Sequence, residues 1–258
     1  GDKAVTTLFD GDKIIGCLFV DNMLNHKPLN DSQIELLNLY GATLGALFNR
    51  KRAEEALKAS EEEALQFQQL LKKLNEITVK METSASFEVL CQQVIQLGRA
   101  ELGFDRLGIW FAVDDQPGMR RGGWGTDIHG NLRDERMMTL PLSPLEEALK
   151  AEGDLLARVD SELYDFDYTI VGQGWNLVGL LWDGQKRLGW LYADNLLTGN
   201  PITPNRYELF RLFTATVSLL CVRRRAEDNL RKSEIRFRAI TEASSDIIAI
   251  VNSHGAVT

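Results

Sequence analysis

The chain alternates short apolar runs with long stretches in which apolar residues recur at helical spacing. Two pairs of β-rich runs stand out, 5–9 with 14–20 and 178–182 with 188–193. An Asp-Gly dipeptide follows the first run of each pair, and this dipeptide is typical of β-hairpins because both central residues of a type I′ turn need positive φ. The pattern therefore predicts two β-hairpins that turn at Asp-Gly.

The two hairpins belong to a longer internal repeat. Residues 1–61 match residues 174–234 at a constant offset of 173 without a gap, and 25 of the 61 positions are identical. A period this long indicates a duplicated domain rather than a solenoid of short repeats. We therefore expect residues 1–49 to be the C-terminal half of a domain whose front half is missing. Residues 84–222 are expected to be a complete copy.

Each predicted hairpin leads into a helix whose start is visible in the sequence. Thr203 and Pro204 suit the N-cap and N1 positions, because the hydroxyl accepts a backbone hydrogen bond and proline at N1 loses none. In the first copy Asn30 is the predicted cap, with Gln33 as its reciprocal N3 partner. Both copies therefore predict a hairpin, a loop and a capped helix.

The first of these helices is predicted to run well beyond its domain. No proline occurs between Leu29 and Pro117. Apolar, small and a few polar residues follow the alternating three-and-four spacing of a heptad repeat. The predicted stripe consists of Leu36, Leu39, Thr43, Ala46, Arg50, Ala53, Leu57, Ser60, Ala64, Phe67, Leu71, Leu74, Thr78 and Met81. A stripe of this kind left in water is unfavourable, which favours pairing with a second chain over a lone surface helix.

We accordingly expect a signalling helix over 50–83, a helical linker over 223–240, and a parallel homodimer formed through helices 31–83 and 205–240. The basic cluster at 223–225 is interpreted as a solvated flank of the second stripe, rather than as a contact with nucleic acid or membrane.

The complete copy is predicted to be an α+β domain, with an antiparallel sheet flanked by helices. Its predicted elements are a helix over 86–97, strands over 107–113, within the glycine-rich 122–135 and over 137–142, a short helix after Ser143-Pro144, an edge strand over 155–159, the hairpin, and the closing helix.

Composition narrows the function classes. The 258 residues carry 29 Lys+Arg against 37 Asp+Glu, a formal net charge of −8 that argues against nucleic-acid binding. The longest apolar runs fall far short of the roughly 20 residues that cross a bilayer, so we expect neither membrane insertion nor a signal peptide. Three scattered cysteines form no disulfide framework or metal motif and favour a reducing, cytoplasmic setting.

Several segments resemble known signalling domains. The hairpin ending at 189–195, the proline-containing entry at 201–204 and the apolar closing helix resemble the second half of a GAF domain, and residues 1–49 resemble the same half of a preceding one. Residues 233–258 resemble the start of a PAS domain. The resemblance implies a sensory array of a bacterial histidine kinase or diguanylate cyclase, whose catalytic domain lies outside this chain. This chain is therefore expected not to be an enzyme.

The GAF resemblance also implies a pocket over the sheet that binds a small molecule, whose identity and any cofactor stay unknown. The residues expected to line it are Trp124, Asp127, His129, Trp175, Trp190 and Tyr192. The alternative is that the tryptophans are core residues and Asp127 is a turn former. His129 has no second histidine or cysteine at ligand spacing, so no metal site is expected.

Other readings stay open at this point. The signature of cyclic-nucleotide GAF domains and the cysteine context of bilin-binding ones do not match this sequence. A GAF-fold methionine sulfoxide reductase needs reactive cysteines, whereas Cys17 and Cys221 align with Trp190 and Phe48, which is typical of packing residues. The remaining alternative is a ligand-free spacer that only dimerises.

Overall fold

The computed structural model describes residues 2–10, 12–24 and 26–243. They fall into two compact units, Gly1–Gln68 and Gln69–Thr258. Helix α1 (Asp31–Glu82) runs from the first unit into the second. Most of the predicted PAS segment at 233–258 lies outside the described residues, so that assignment stays a prediction, as do the other domain boundaries.

Unit 1 contains the first predicted hairpin and the start of α1. Strands β1 (Lys3–Asp10) and β2 (Lys13–Asp21) pair antiparallel. The predicted cap is confirmed, since Gln33 N–H donates to Asn30 Oδ1 (2.9 Å) and Asn30 N–H donates to Gln33 Oε1 (3.0 Å). The helix packs closely on the hairpin at Gly41, where an added Cβ would lie 2.5 Å from Thr6 Cγ2.

Helix α1 is continuous over 52 residues, as the heptad spacing predicts. The stripe residues from Leu36 to Leu57 are exposed or nearly so, whereas Leu74 and Met81 at its far end are buried. The end of the predicted stripe is thus already covered within this chain. The part left open to a second chain covers roughly its first two thirds, up to Ala64.

Unit 2 is the predicted α+β domain, and its fold class is confirmed. Its seven-stranded antiparallel sheet has the order β5-β4-β3-β9-β8-β7, with β6 also paired to β4. The elements are α2 (Phe87–Ala100), β3 (Arg106–Ala112), β4 (Met119–Thr126), β5 (Leu132–Asp134), β6 (Thr139–Pro141), α3 (Pro144–Glu152), β7 (Leu155–Tyr164), β8 (Ile170–Trp182), β9 (Arg187–Asp194) and α4 (Pro204–Ala243). The capping hydroxyl of Thr203 accepts from Arg206 N–H (3.1 Å), as predicted.

The sheet separates two layers of packing. Helices α2 and α4 cover one face, where Gly98 of α2 lies against Phe213 of α4. Helix α3 and the segment before it cover the other face. The core of this second layer is formed by Trp110, Leu149, Leu156, Val178 and Trp190. Because side chains alternate along a strand, β8 contributes to both layers.

The turn of the second hairpin differs from the prediction. Trp182 pairs with Arg187, which leaves a four-residue loop in which Gly184 takes a positive φ of 94°. Asp183 does not take a positive φ; its Oδ1 instead accepts from the N–H groups of Gln185 (2.8 Å) and Lys186 (2.6 Å). The Asp-Gly signal is therefore correct for the hairpin and wrong for the turn type.

The edge strand is longer than the pattern indicates. It extends to Tyr164 past a bulge at Asp160, whose φ is +51°, and it pairs with the early part of β8 from Ile170 onward. The second half of this strand is mostly polar, so it lacks the alternation of apolar and polar residues from which strands are predicted. Loop 165–169 between the two strands lies beside the cavity described next.

Candidate ligand cavity

A cavity of about 480 Å³ lies on the face of the sheet that α3 covers. Its floor includes a lateral row of polar side chains, Arg106 on β3, Asp194 on β9 and Asn176 on β8, which occupy paired positions on neighbouring strands. Gly108 leaves the floor open, because an added Cβ would have only Trp110 Nε1 near it, at 4.0 Å. The cavity is of the size that proteins use for small organic ligands.

A buried arginine forms one wall. Arg120 pairs with the fully buried Glu146 (Nη1 to Oε1, 3.3 Å) and donates to Tyr192 Oη (3.2 Å). The Tyr192 hydroxyl in turn donates to Glu146, and burial raises the pKa of this tyrosine well above its usual range. The guanidinium carbon lies 4.1 Å from the centroid of the Trp110 ring. The charge is thus held between a carboxylate and aromatic faces.

Glu146 also starts helix α3. Its side chain accepts from Ser143 N–H, and its own N–H donates to Ser143 Oγ (3.3 Å), which completes a capping box. One carboxylate therefore ties both the N-terminus of α3 and Arg120 to the same point of the cavity wall.

Two further arginines hold the loop beside the cavity. Arg106 makes a bidentate contact with Asp194 (2.6 to 3.1 Å) and donates to Tyr164 O (3.0 Å). Arg133 donates two hydrogen bonds to the carboxylate of Asp165 (2.6 and 3.1 Å). These arginines come from β3 and β5. They therefore link the connection between β7 and β8, at one edge of the sheet, to strands nearer its opposite edge.

The charges around the cavity are largely internally balanced. Among the described lining residues there are three arginines and four carboxylates, Glu135, Glu162, Asp165 and Asp194, and Glu146 lies behind the wall against Arg120. Each arginine already has a carboxylate partner. A ligand held here would make hydrogen bonds to this network and lay apolar surface against the tyrosine, tryptophan and phenylalanine side chains.

Over the described ranges, no cluster of three or more His, Cys, Asp or Glu side chains is arranged to hold a metal ion.

The structure brings one of the six predicted site residues, Tyr192, to the cavity. Trp190 packs beside it in the buried core. Trp175 points to the loop before α4, where its Nε1 donates to Asn200 O (2.8 Å). Trp124 lines a separate groove beside α2.

The other two predicted residues lie in a turn. Asp127 Oδ1 accepts from the N–H groups of His129 and Asn131, both at 2.8 Å, and His129 is exposed. That part of the site prediction rested on residue types that suit ligands, whereas the structure uses Asp127 to form a turn. The cavity arginines Arg106 and Arg120 were missed. For Arg106 the available signal is a charged residue at the start of an otherwise apolar strand, whereas Arg120 lies in a strand with a second arginine and several glycines and carries no such signal.

The two cysteines of unit 2 lie away from this cavity. Cys91 and Cys221 are buried and contact each other between α2 and α4, and burial raises the pKa of the Cys91 thiol. A raised pKa disfavours the thiolate that cysteine catalysis requires.

No family model and no curated protein matches this chain. Several solved structures do match it. The GAF domain of a phosphoenolpyruvate-protein phosphotransferase from Coxiella burnetii is 12 % identical with a TM-score of 0.52, over 63 % of this chain and 98 % of that one. The chain contains a GAF fold. A bacteriophytochrome, RpBphP3 from R. palustris, is 13 % identical with a TM-score of 0.51, over 67 % of this chain and 40 % of that one.

At this identity the likeness concerns the GAF fold alone. It carries no ligand over to this chain. Among the residues that the structure describes, no helix combines the length and apolar character needed to cross a membrane.

The buried Glu135 predicts a pH effect on stability. Burial raises the pKa of Glu135 above its ordinary value of 4.5, against the opposing pull of Arg133. A raised pKa means that the stabilising contribution of Glu135 is complete below pH 4.5 and is lost as the pH rises through the folded-state pKa. We expect Glu135→Gln to gain stability relative to the wild type as the pH increases from 4.5, since it removes this loss. Urea unfolding across that range measures the difference, and parallel curves for the two proteins would contradict it.

Proposed function

We propose that this chain is the sensory module of a multidomain bacterial signalling protein, and that the GAF fold of residues 84–222 binds a small organic molecule in the cavity. The observation that carries the proposal is the cavity itself, lined by buried arginines and aromatic rings and bounded by α3 and loop 165–169. The resemblance at both ends of the chain favours an array that begins with a partial GAF domain and ends in a PAS domain. A histidine kinase or diguanylate cyclase would then be the output.

Strand β8 supplies a route from the cavity to α4. Asn176 faces the cavity, and six residues later the backbone of Trp182 is held by α4. The Ser218 hydroxyl accepts from Trp182 N–H and donates to Trp182 O, both at 2.7 Å. Between these points Gly179 packs directly on Thr214. A ligand that moves β8 would therefore move α4 with it.

We further propose that α1 and α4 pair with the same helices of a second chain in parallel. Leu57 on α1 and Leu230 on α4 occupy equivalent positions of the repeat, and both are largely exposed. Small or polar residues interrupt the stripes, which weakens the pairing and allows two arrangements of similar energy. These interruptions are Thr43, Arg50, Ser60, Thr216, Arg223 and Ser233.

A second candidate function is a ligand-free spacer that only dimerises. The internal pairing of all three cavity arginines favours it, because an ion-paired wall needs no ligand to satisfy its charges. The two candidates make different predictions for the protein purified from cells.

Native mass spectrometry of the whole chain separates them. We expect twice the chain mass of 29.0 kDa together with a retained small molecule. Replacing Leu57 and Leu230 with Asp is expected to give monomers, while Ala59→Asp, outside the stripe, leaves the dimer intact. A dimer without any retained or rebinding small molecule would favour the spacer, and a monomeric wild type would remove the proposed relay.

A further inference from the structure

The cavity of unit 2 contains three arginines, yet its arrangement of charges favours a positively charged ligand. We infer that the cavity binds an organic cation, an ammonium or amidinium group on an apolar body, and that the carboxylate of Glu135 is its counter-ion. The inference rests on the proposed ligand-binding function and names the chemical class of that ligand.

Each of the three arginines is paired with a carboxylate. Arg106 is bound to Asp194, Arg120 to Glu146 and Arg133 to Asp165, with nitrogen–oxygen distances of 2.6, 3.3 and 2.6 Å. Arg120 Nε makes no hydrogen bond, but its guanidinium is already packed on the ring of Trp110, 4.1 Å from the centroid. A phosphate or carboxylate ligand would have to displace a protein carboxylate before it reached these charges. The arginines therefore disfavour an anion.

Glu135 is the carboxylate in excess. It shares Arg133 with Asp165, and both of its contacts with Arg133 are made by Oε1 (2.8 and 2.9 Å). Its other oxygen, Oε2, makes no hydrogen bond within the described part of the chain, although Glu135 is only 3 % exposed and lines the cavity. Three positive charges thus face four negative ones, before the exposed lining residue Glu162 is counted.

Two glycines of β4 make room for this carboxylate. An added Cβ at Gly125 would lie 2.5 Å from Glu135 Oε1, and one at Gly122 would overlap the backbone oxygen of Glu135. A larger residue at either position would push Glu135 away from the sheet. Burying a carboxylate that shares its arginine is unfavourable, and burial accordingly raises the pKa of Glu135. A cation bound in the cavity would offset that cost.

Asn176 on the cavity floor supplies a second unpartnered oxygen. Asn176 is 8 % exposed, and its Oδ1 has no hydrogen-bond partner among the described residues. The Ser161 hydroxyl donates to Gly174 O (3.5 Å), so its oxygen accepts from Asn176 Nδ2 (3.1 Å), and Oδ1 is the free end of the amide. Both unpartnered oxygens need N–H or O–H donors, which a protonated amine or amidine supplies and a carboxylate or phosphate dianion does not.

Three matched probes separate the ligand classes by isothermal titration calorimetry of the whole chain. Tryptamine, indole-3-propionamide and indole-3-propionate share an indolylethyl body and differ in charge. The indole ring suits the rings of Trp110, Phe166 and Tyr168 in the lining. We expect tryptamine to bind at least about tenfold more tightly than the neutral amide, and the propionate to bind most weakly.

The titrations distinguish failure of this inference from failure of the proposed function. If tryptamine gains nothing over the amide, or if the propionate binds most tightly, the cavity binds ligands but not as a cation site. Binding of none of the three probes would remove the proposed cavity function as well. Any molecule that the purified wild type retains should carry a basic nitrogen, and a retained anion would contradict the inference.

Glu135→Gln tests the counter-ion directly, because it removes the charge and keeps the size of the side chain. We expect it to lower the affinity for tryptamine at least about tenfold, to that of the amide, and to leave the affinity for the amide unchanged. Asp134→Asn is the matched control. Asp134 is exposed, pairs with Arg136 and lies outside the cavity lining, so all three affinities should stay the same.

Urea unfolding verifies that both variants are folded. If Glu135→Gln binds tryptamine as tightly as the wild type does, another group holds the cation and the assignment of Glu135 is wrong.

Discussion

Gly179→Thr is expected to destabilise unit 2 by about 3 kcal/mol, and Thr214→Gly in the same chain is expected to restore most of that loss. A Cβ at position 179 would lie 2.6 Å from Thr214 Cγ2, which is closer than real Cβ contacts. Thr214 is buried and cannot move away without disturbing α4. Removing its side chain creates the space that the new threonine fills.

The first copy of the repeat already contains the reversed pair. The residue equivalent to Gly179 is Thr6, and the residue equivalent to Thr214 is Gly41. An added Cβ at Gly41 would lie 2.5 Å from Thr6 Cγ2, so the same contact is packed in both units with the two residues exchanged. The double variant therefore gives unit 2 the arrangement that unit 1 uses.

Urea unfolding followed by tryptophan fluorescence measures the cycle, because all five tryptophans lie in unit 2. Thr214→Gly alone is the matched control and should cost about 1 kcal/mol for a glycine within a helix. The double variant should be more stable than the sum of the single changes implies. Additive effects of the two substitutions would show that the contact is not tightly packed.

Glu146→Leu is expected to cost about 3 to 5 kcal/mol, because it leaves Arg120 as a buried, unpaired charge. The same change removes the capping carboxylate of α3 and a partner of the Tyr192 hydroxyl. Glu147→Leu, at the neighbouring exposed position of the same helix, is the matched control and should change the free energy of unfolding little.

A second substitution tests the cause. Adding Arg120→Met to Glu146→Leu replaces the whole pair by apolar side chains and is expected to recover most of the lost stability. The rescued protein should still lose any small molecule retained by the wild type, since the polar wall of the cavity is gone. If the double variant is as unstable as Glu146→Leu alone, the loss comes from the helix cap and not from the unpaired arginine. Urea unfolding and native mass spectrometry give the two readouts.

The features that sequence predicts well depend on short stretches of chain. Asn30 and Gln33 are three residues apart, so their reciprocal hydrogen bonds follow from local geometry. The cavity is different, because Arg106 and Asp194 are 88 positions apart and meet only when β3 and β9 pair. Nothing in either segment indicates that partner before the strand order is known.

By itself, the sequence determined that this protein contains two copies of one hairpin-and-helix block, and it predicted where their helices begin. Those conclusions need only identities at a constant offset and capping residues. Only the tertiary structure decided that two apparent mismatches of the repeat, at Thr6 with Gly179 and at Gly41 with Thr214, form one compensated contact. Close packing constrains the combined volume of touching side chains, whereas sequence comparison tests one position at a time.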